Sequence, residues 1–371
     1  MALHIPISTT GAATALTLAD GDDVFIADGV VLASTGQRAL DGSVGGTHHI
    51  TVAGTAASFG IGIALGNDSA LHSANTLIIE ASGDVRSFIT YAVTIFSWGT
   101  TFSNSGYVSG PLGGLFLSGD HAGTVTTVTN SGILRGENGF GVTRYEQTET
   151  IRLVNTGTIS GTKAYGFEGV STNRDLIQNS GRMTGDIDLS GGNDIYAGAS
   201  GRLTGKVLGG DGNDTLTGGI DGNEFRGGAG ADTLIGSAGN DVPKGDSGKD
   251  RLNGGTGNDR LYGGADKDIF IFSAGLTSAN RDTIHDFNRL DDTIQLQNAV
   301  FKKVGNAGPL APAAFAKNAT GTAGDSTDRI ICETDTGRLF YDPDGTGPMT
   351  GIHFATLSTR PVISAADFVV I

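Results

Sequence analysis

A ninefold repeat limits what this chain can fold into more than any other feature. From Gly209 the sequence runs without insertion through seven units: GGDGNDTLT, GGIDGNEFR, GGAGADTLI, GSAGNDVPK, GDSGKDRLN, GGTGNDRLY and GGADKDIFI. The sixth residue of every unit is acidic or an amide. Glycine loses more backbone freedom on folding than any other residue, and like charges stacked on neighbouring strands repel. A further interaction must offset both costs.

Each unit predicts one turn and one short strand. Six glycine-rich residues favour a tight turn, and the last three residues form a strand whose middle side chain points inward. Two units then complete one coil of a thin parallel β-roll. The predicted inward side chains are Leu216, Phe225, Leu234, Pro243, Leu252, Leu261 and Phe270.

The repeat resembles the RTX (repeats-in-toxin) family of secreted proteins, whose units follow G-G-x-G-x-D-x-U-x and bind calcium. Calcium takes six to eight oxygen ligands and accepts backbone carbonyls readily. We expect half of the ligands of each ion from one turn and half from the turn one coil away. The predicted ligands are Asp214, Asn223, Asp232, Asp241, Asp250, Asp259 and Asp268, with Gly209, Asp211, Gly227, Ala229, Gly236, Ala238, Gly245, Ser247, Gly254, Thr256 and Gly263.

Successive turns alternate between the two sides of the roll, which predicts two calcium columns. Units one, three, five and seven keep an Asp at position six, whereas unit two has Asn223 there and Asp221 in place of a glycine. Unit four has Ser237 for its second glycine and Pro243 in its strand, where the missing N–H removes a ladder bond. We therefore expect tighter sites in the odd column. Asp194, in GGND before the repeat, is a further candidate ligand for the first site.

A second repeat occupies the N-terminal half. Asn-Ser-Gly-like motifs recur every 20 to 26 residues, and an apolar residue follows each glycine by two positions. This period predicts the coils of a parallel β-helix with a stacked asparagine ladder at one turn. The inward positions are Val85, Val108, Leu134, Ile159, Met183 and Leu203, and the ladder residues are Asn104, Asn130, Asn155 and Asn179.

The predicted fold is all-β: a right-handed parallel β-helix running into a calcium-binding parallel β-roll, with a C-terminal β capping and secretion region. The predicted domains are 1–80, whose coils the pattern does not place, the β-helix 81–206, the roll 207–272 and the C-terminal region 273–371. Asp282 and Asp286 are expected to end or cap the roll. In DPDGTG, we expect a plain turn, and the alternative is half of a calcium loop formed by Asp342 and Asp344.

The C-terminal region resembles that of serralysin-type RTX proteins. The resemblance covers roughly 190–371 and implies export by a type I secretion machinery that reads an uncleaved C-terminus, here Asp367 and the apolar residues after it. The N-terminus lacks the basic and apolar regions of a cleaved signal peptide, which agrees with export by a C-terminal signal. We therefore expect a protein secreted to the surroundings or the cell surface of a Gram-negative bacterium. The alternative for residues 367–371 is an ordinary closing strand.

Charge and composition exclude several classes of protein. The net charge is −15, which disfavours nucleic acid as a partner and favours cations. No apolar run reaches the length of about 18 residues that a transmembrane helix needs. The single cysteine, Cys332, is expected to be a buried free thiol.

The sequence favours no enzyme class strongly. There is no H-E-x-x-H zinc-protease motif and no G-x-S-x-G elbow. Parallel β-helices often host polysaccharide lyases, epimerases and glycosidases, and their sites need paired carboxylates with a basic or phenolic group. The segment 144–149 (RYEQTE) has suitable residue types, with Tyr91, Asp120 and His121 as possible neighbours.

Two hypotheses follow. The favoured one is a secreted calcium-binding β-solenoid that acts as a surface, matrix or adhesive protein, with cell-surface or matrix polysaccharide as a possible partner. The alternative is a secreted polysaccharide-active enzyme with its site on the β-helix. A groove with two carboxylates about 5–9.5 Å apart favours the enzyme, and a flat face covered with Ser and Thr favours the structural protein.

Overall fold

The computed structural model describes residues 2–5, 9–11, 14–19, 22–43, 47–66, 74–119, 123–145, 149–168, 172–198 and 200–371. This part of the chain is all-β apart from two single-turn 3-10 helices. None of its helices is long and apolar enough to cross a membrane. The chain divides into two compact units, residues 1–208 and 209–371.

The first unit is built from short strands that recur three to a coil. They are β1 (Ala2–Ile5), β2 (Thr9–Gly11), β3 (Thr14–Thr17), β4 (Asp23–Ile26), β5 (Val31–Ser34), β6 (Arg38–Gly42), β7 (His49–Val52), β8 (Thr55–Ser58), β9 (Ile61–Gly66), β10 (Thr76–Ile79), β11 (Asp84–Ser87), β12 (Tyr91–Phe96), β13 (Thr101–Asn104), β14 (Tyr107–Gly110), β15 (Gly113–Ser118), β16 (Val125–Asn130), β17 (Ile133–Gly136), β18 (Phe140–Tyr145), β19 (Thr150–Asn155), β20 (Thr158–Glu168), β21 (Asp175–Asn179), β22 (Arg182–Asp188), β23 (Ile195–Ala197), β24 (Arg202–Thr204) and β25 (Lys206–Asp211), which runs past the end of the unit.

The strands of this unit pair in parallel with equivalent strands of neighbouring coils. The first strands of successive coils form one sheet, as in the pairing of β7 with β10 and of β10 with β13. The second and third strands form two further faces, as in β8 with β11 and β9 with β12. The parallel solenoid predicted from the second repeat is therefore confirmed, and its coils extend into the region before residue 80 that the sequence pattern left unplaced.

The predicted inward positions form the core of the first unit. Val85, Val108, Leu134, Ile159 and Met183 are fully buried, and Leu203 is nearly so. Their glycine neighbours are needed for close packing of the turns, because a Cβ on Gly106 would overlap the carbonyl oxygen of Gly83 one coil earlier.

The asparagine ladder is also confirmed. Asn104 Nδ2 donates to Asn130 Oδ1 over 2.8 Å, Asn130 donates to Asn155 over 2.7 Å, and Asn155 donates to Asn179 over 2.8 Å. All four side chains are buried. Each inner amide both accepts and donates, so the chain supplies its own partners for these buried polar groups.

The second unit is a two-sided roll followed by a small mixed sheet. Its elements are β26 (Thr215–Thr217), β27 (Glu224–Ala229), β28 (Thr233–Ile235), β29 (Val242–Ser247), β30 (Arg251–Asn253), β31 (Arg260–Ala265), β32 (Ile269–Phe272), β33 (Asp282–Ile284), β34 (Thr293–Leu296), β35 (Gly308–Pro309), β36 (Phe315–Asn318), β37 (Ile330–Glu333), β38 (Arg338–Tyr341), β39 (Ile352–Leu357) and β40 (Phe368–Val370), with 3-10 helices Pro312–Ala314 and Ala365–Asp367.

The roll follows the predicted ninefold register. Leu216, Leu234, Leu252 and Phe270 are successive Cα partners on one side and are fully buried. The other inward positions, on β27, β29 and β31, are buried as well, including Pro243. The pairing of β29 with β31 begins only at Lys244, next to the proline that has no N–H to donate.

The C-terminal residues close the roll. β40 pairs in parallel with β34, and Phe368 and Val370 are buried. Asp367 forms a capping box with Ser364, whose backbone N–H donates to its carboxylate over 2.7 Å. The carboxylate of Asp342 accepts the N–H groups of Asp344 and Gly345, so DPDGTG is a turn. Cys332 is a buried free thiol, as expected.

Replacing Asn130 by Ala should lower the free energy of unfolding by about 1–3 kcal/mol, because it leaves buried amide groups of Asn104 and Asn155 without their partner. Urea unfolding of the whole chain in calcium measures this. Asn138→Ala, on an exposed turn of the same coil, is the control and should change stability little. An equal effect of both variants would contradict a stabilising role of the ladder.

Candidate metal centre

The sixth residues of the repeat form two buried columns. In the odd column, Asp214 N–H donates to Asp232 Oδ1 over 2.8 Å, Asp232 N–H to Asp250 Oδ1 over 2.8 Å, and Asp250 N–H to Asp268 Oδ1 over 3.0 Å. Every one of these side chains is at most 1% exposed. One oxygen of each carboxylate is thus used to link successive coils.

The even column is built in the same way. Asn223 N–H donates to Asp241 Oδ1 over 2.6 Å, and Asp241 N–H donates to Asp259 Oδ1 over 2.8 Å. Successive units therefore alternate between the two sides of the roll, as the repeat predicts.

Both columns continue beyond the last unit through two residues outside the ninefold register. Asp259 N–H donates to Asp282 Oδ1 over 3.1 Å, and Asp268 N–H donates to Asp292 Oδ1 over 3.0 Å. Asp286 accepts the N–H groups of Gly263 and its neighbour. Asp282 therefore caps the even column at the end of the roll, as expected. Asp292 was not predicted, although an Asp next to the strand-like TIQL was an available signal.

The second oxygen of five column carboxylates has no hydrogen-bond partner in the protein. In the roll, which the structure describes completely, Oδ2 is buried and accepts no hydrogen bond in the following residues: Asp232, Asp241, Asp250, Asp259 and Asp268. Burying an ionised oxygen without a partner is costly. A cation is the partner that such an oxygen lacks.

The first glycine of each unit leaves space beside this oxygen. A Cβ on Gly245 would overlap Asp250 Oδ2 and the carbonyl oxygen of Gly263 in the next coil. The corresponding carboxylate oxygen lies against the first glycines 209, 227, 236, 254 and 263 in the same way. A carboxylate oxygen and a carbonyl oxygen from successive coils therefore converge where any other residue would place a side chain.

The predicted third-position ligands also lie at the turns. The carbonyl oxygens of Ala229, Ser247 and Thr256 each accept an N–H from the coil before. A carbonyl oxygen has two lone pairs, so this bond leaves it able to bind an ion. The described residues contain no group of three or more acidic, His or Cys side chains that could hold a metal. Carboxylate and backbone carbonyl oxygens, which both lie at these turns, are ligands that calcium accepts.

Burial raises the pKa of the column carboxyls. The pKa is about 7 for Asp232, Asp241 and Asp268 and about 6 for Asp250. Burial and the adjacent Asp259 raise the pKa of Asp282 to about 8. Without a cation, ionisation of these poorly solvated carboxyls at neutral pH therefore destabilises the folded roll.

The irregular units show how far the turn tolerates change. Ser237, Asp246 and Asp266 replace glycines and take φ values of 78°, 74° and 78°, so the left-handed turn survives at these positions. In unit two neither Gly219 nor Asp221 has a positive φ, and the turn departs from that of the other units. This distortion agrees with the expectation of weaker sites in the even column, which stays a prediction.

Asp246 has a second role besides its turn. Its carboxylate accepts two hydrogen bonds of 2.9 Å from the guanidinium of Arg226. The pair is largely exposed, and such pairs contribute little to stability. The negative charge of Asp246 nevertheless contributes to the raised pKa of Asp232 and Asp250, after burial.

The first unit neutralises a comparable buried Asp from within the chain. Asp194 Oδ1 accepts the N–H of Asp175 over 2.6 Å, as in the columns of the roll. The carboxylate of Asp175, however, bonds the guanidinium of Arg144 and the hydroxyl of Tyr165. All three of these side chains are fully buried. The part of Asp194 in a first calcium site stays a prediction.

Among the described residues, the candidate catalytic side chains Arg144, Glu149 and Tyr91 do not gather in an open groove. Arg144 and Glu149 are fully buried, and the carboxylate of Glu149 accepts the Thr126 hydroxyl and the Gly99 N–H. Tyr91 packs against Phe116 at a ring-centre distance of 4.8 Å. Asp120, His121 and residues 146–148 lie outside the described residues.

Comparison with known families agrees with the columns. Residues 208–243 and 244–275 match the RTX calcium-binding nonapeptide repeat family (four copies). Residues 208–275 are RTX calcium-binding repeats. They make up less than a fifth of the chain, within a calcium-binding β-solenoid protein. No curated protein matches the chain.

Gly245→Ala should raise the calcium midpoint for folding of the RTX repeats several-fold, because its methyl group takes the space between Asp250 Oδ2 and the Gly263 carbonyl. Circular dichroism during a calcium titration measures the midpoint. Gly275→Ala is the matched control, since no atom lies within 4 Å of a Cβ at that position. Equal midpoints for the two variants would contradict the proposed cradle.

In chelator, the stability of the RTX repeats should rise as the pH falls from 8 to 5. The folded pKa values of about 6 to 8 lie above the ordinary Asp value of about 3.9, so their stabilising contribution is present at low pH and is lost as the pH rises through the folded values. The folded fraction of the RTX repeats, followed by circular dichroism at pH 8 and pH 5 with and without calcium, measures the effect. With calcium bound, acid should instead destabilise, because protons compete with the ion. The same direction of change in both conditions would contradict this account.

Proposed function

We propose that this protein is exported from a Gram-negative bacterium, folds on contact with external calcium and acts as a surface, matrix or adhesive structural protein. The observation that carries the proposal is the pair of Asp columns, in which the buried Oδ2 atoms of Asp232, Asp241, Asp250, Asp259 and Asp268 accept no hydrogen bond. Sites of extracellular modules bind calcium at about 10⁻⁴–10⁻³ M. Such sites stay empty in the cytosol and fill outside.

Calcium then supplies the free energy that holds the roll. Each site stabilises the folded state by about 1.4 kcal/mol for every tenfold excess of calcium over its dissociation constant. Several sites in two columns add up, and they also remove the repulsion between stacked carboxylates. The roll therefore remains unfolded during export and folds after it.

Export by a type I machinery is supported by the RTX repeats and by the C-terminal resemblance. Asp367 and the four apolar residues after it have the composition of the signal. In the folded chain the same residues form β40 and its cap. These two roles do not conflict, because the signal is read before the roll folds.

The adhesive role is supported by one face of the first unit. Thr76, Thr101 and Thr127 are successive Cα partners on β10, β13 and β16 and alternate with the buried Leu77, Phe102 and Val128. A parallel row contains Thr51, Ile78, Ser103 and Thr129. Hydroxyl groups spaced by about 4.8 Å on neighbouring parallel strands suit a hydroxyl-rich polymer such as a polysaccharide.

Whole secreted protein should bind a subset of glycans on an array without releasing reducing sugar. Replacing Thr101 and Thr127 by Ala should weaken that binding, because it removes two of the three hydroxyls of the row. The control is Thr158→Ala with Thr184→Ala, on another face of the same unit. Sugar release would favour the polysaccharide-active enzyme, and equal binding by both variants would contradict the proposed face.

Deleting residues 367–371 should reduce the amount of protein in the medium, because the export signal is removed. Quantitative immunoblotting of medium and cells measures this. Leu296→Ala is the control: Leu296 is the Cα partner of Val370, so the variant weakens the closing of the roll but keeps the signal. An equal loss of export in both variants would indicate a folding defect instead of a lost signal.

A further inference from the structure

A separate cavity lies in the small sheet of the second unit. It has a volume of about 150 Å³ and is bounded by β36, β37, the end of β39 and the segment 360–363. It shares no residue with the calcium columns. All residues around it belong to the second unit, which the structure describes completely.

The interior of this cavity is apolar. Its walls include Cys332, Leu357, Pro361, Val362 and Ile363. Cys332 and Ile363 are buried, whereas Val362 is 69% exposed at the opening. An apolar cavity of ~150 Å³ is large enough to take a molecule the size of benzene.

Two basic side chains, Lys317 and Arg360, also line the cavity. Lys317 is the Cα partner of Cys332 on the neighbouring parallel strand, so the two side chains point to the same face of the sheet. Lys317 and Arg360 are both exposed. Within residues 209–371, no carboxylate lies at ion-pair distance from either of them. Two cations without an acidic partner are notable in a chain whose net charge is −15.

The backbone holds Arg360 at the opening. Its φ is 51°, in the left-handed region that a non-glycine residue rarely adopts, and its N–H donates to the Leu357 carbonyl over 3.1 Å. This conformation is unfavourable for a residue with a Cβ, and such strained residues concentrate at binding sites. The strained turn places a charge beside the cavity at a position where glycine or asparagine would fold more easily.

We propose that this cavity binds a small carboxylate with a short apolar chain. The carboxylate lies between Lys317 and Arg360, where charge-assisted hydrogen bonds hold it. The chain fills the space against Cys332, Leu357 and Ile363. Charge complementarity selects an anion, and the volume limits the chain to a short one such as that of hexanoate. The site does not depend on the proposed adhesive function, and either can fail without the other.

The test is isothermal titration of the whole calcium-loaded protein with three probes at millimolar concentrations: hexanoate, hexanol and acetate. Hexanoate should bind at least tenfold more tightly than either of the others, since hexanol lacks the charge and acetate lacks the chain. Hexanoate should also slow the reaction of Cys332, the single cysteine of the chain, with a small thiol reagent.

Lys317→Gln and Arg360→Asn should each weaken hexanoate binding about tenfold. Asn tolerates the left-handed backbone, so the second variant removes the charge without adding strain. Lys302→Gln, which removes a charge from a different groove, should leave binding unchanged, and thermal unfolding verifies that all three variants are folded. The proposal is overturned if hexanoate does not bind, if hexanol binds equally well, or if Lys302→Gln has the same effect as the two cavity variants.

Discussion

The fold of the roll depends on five buried carboxylates, each of which lacks a protein partner for one of its oxygens. Asp232, Asp241, Asp250, Asp259 and Asp268 use Oδ1 to link coils and leave Oδ2 buried beside a glycine. Such a stack is unfavourable by itself, because desolvation and mutual repulsion both disfavour the ionised form. Bound calcium makes the stack of ionised carboxylates favourable, because it supplies the positive charge that they lack. The glycine pairs are needed because they let the ion and the backbone oxygens approach the carboxylate.

The first unit shows the alternative solution to the same problem. Its coils are joined by neutral amides in the asparagine ladder, and its buried Asp175 is neutralised by Arg144. Breaking such a buried pair is strongly destabilising, whereas the intact pair needs no external ion. The two units thus obtain the counter-charge for their buried carboxylates differently: the first from an arginine, the roll from an external cation. We infer that the first unit keeps its fold in chelator while the roll does not.

This difference gives the proposed secretion a physical basis. Under this proposal, a chain whose roll is unfolded in the cytosol can be exported, and residues 367–371 are read as a signal before β40 pairs with β34. The proposal then has calcium, the closing strand and its Ser364–Asp367 cap complete the roll after export.

The sequence by itself determined the features that repeat. A strict ninefold period places Leu234 and Asp232 unambiguously, because every unit must satisfy the same turn and the same inward position. The asparagine ladder and the core of the β-helix followed in the same way. Only the tertiary structure showed that Asp282 and Asp292 continue the columns, since an irregular insertion separates each from the last unit. It alone paired Arg144 with Asp175, which lie 31 residues apart. A contact between side chains that occur once has no period in the sequence, so only the folded chain brings them together.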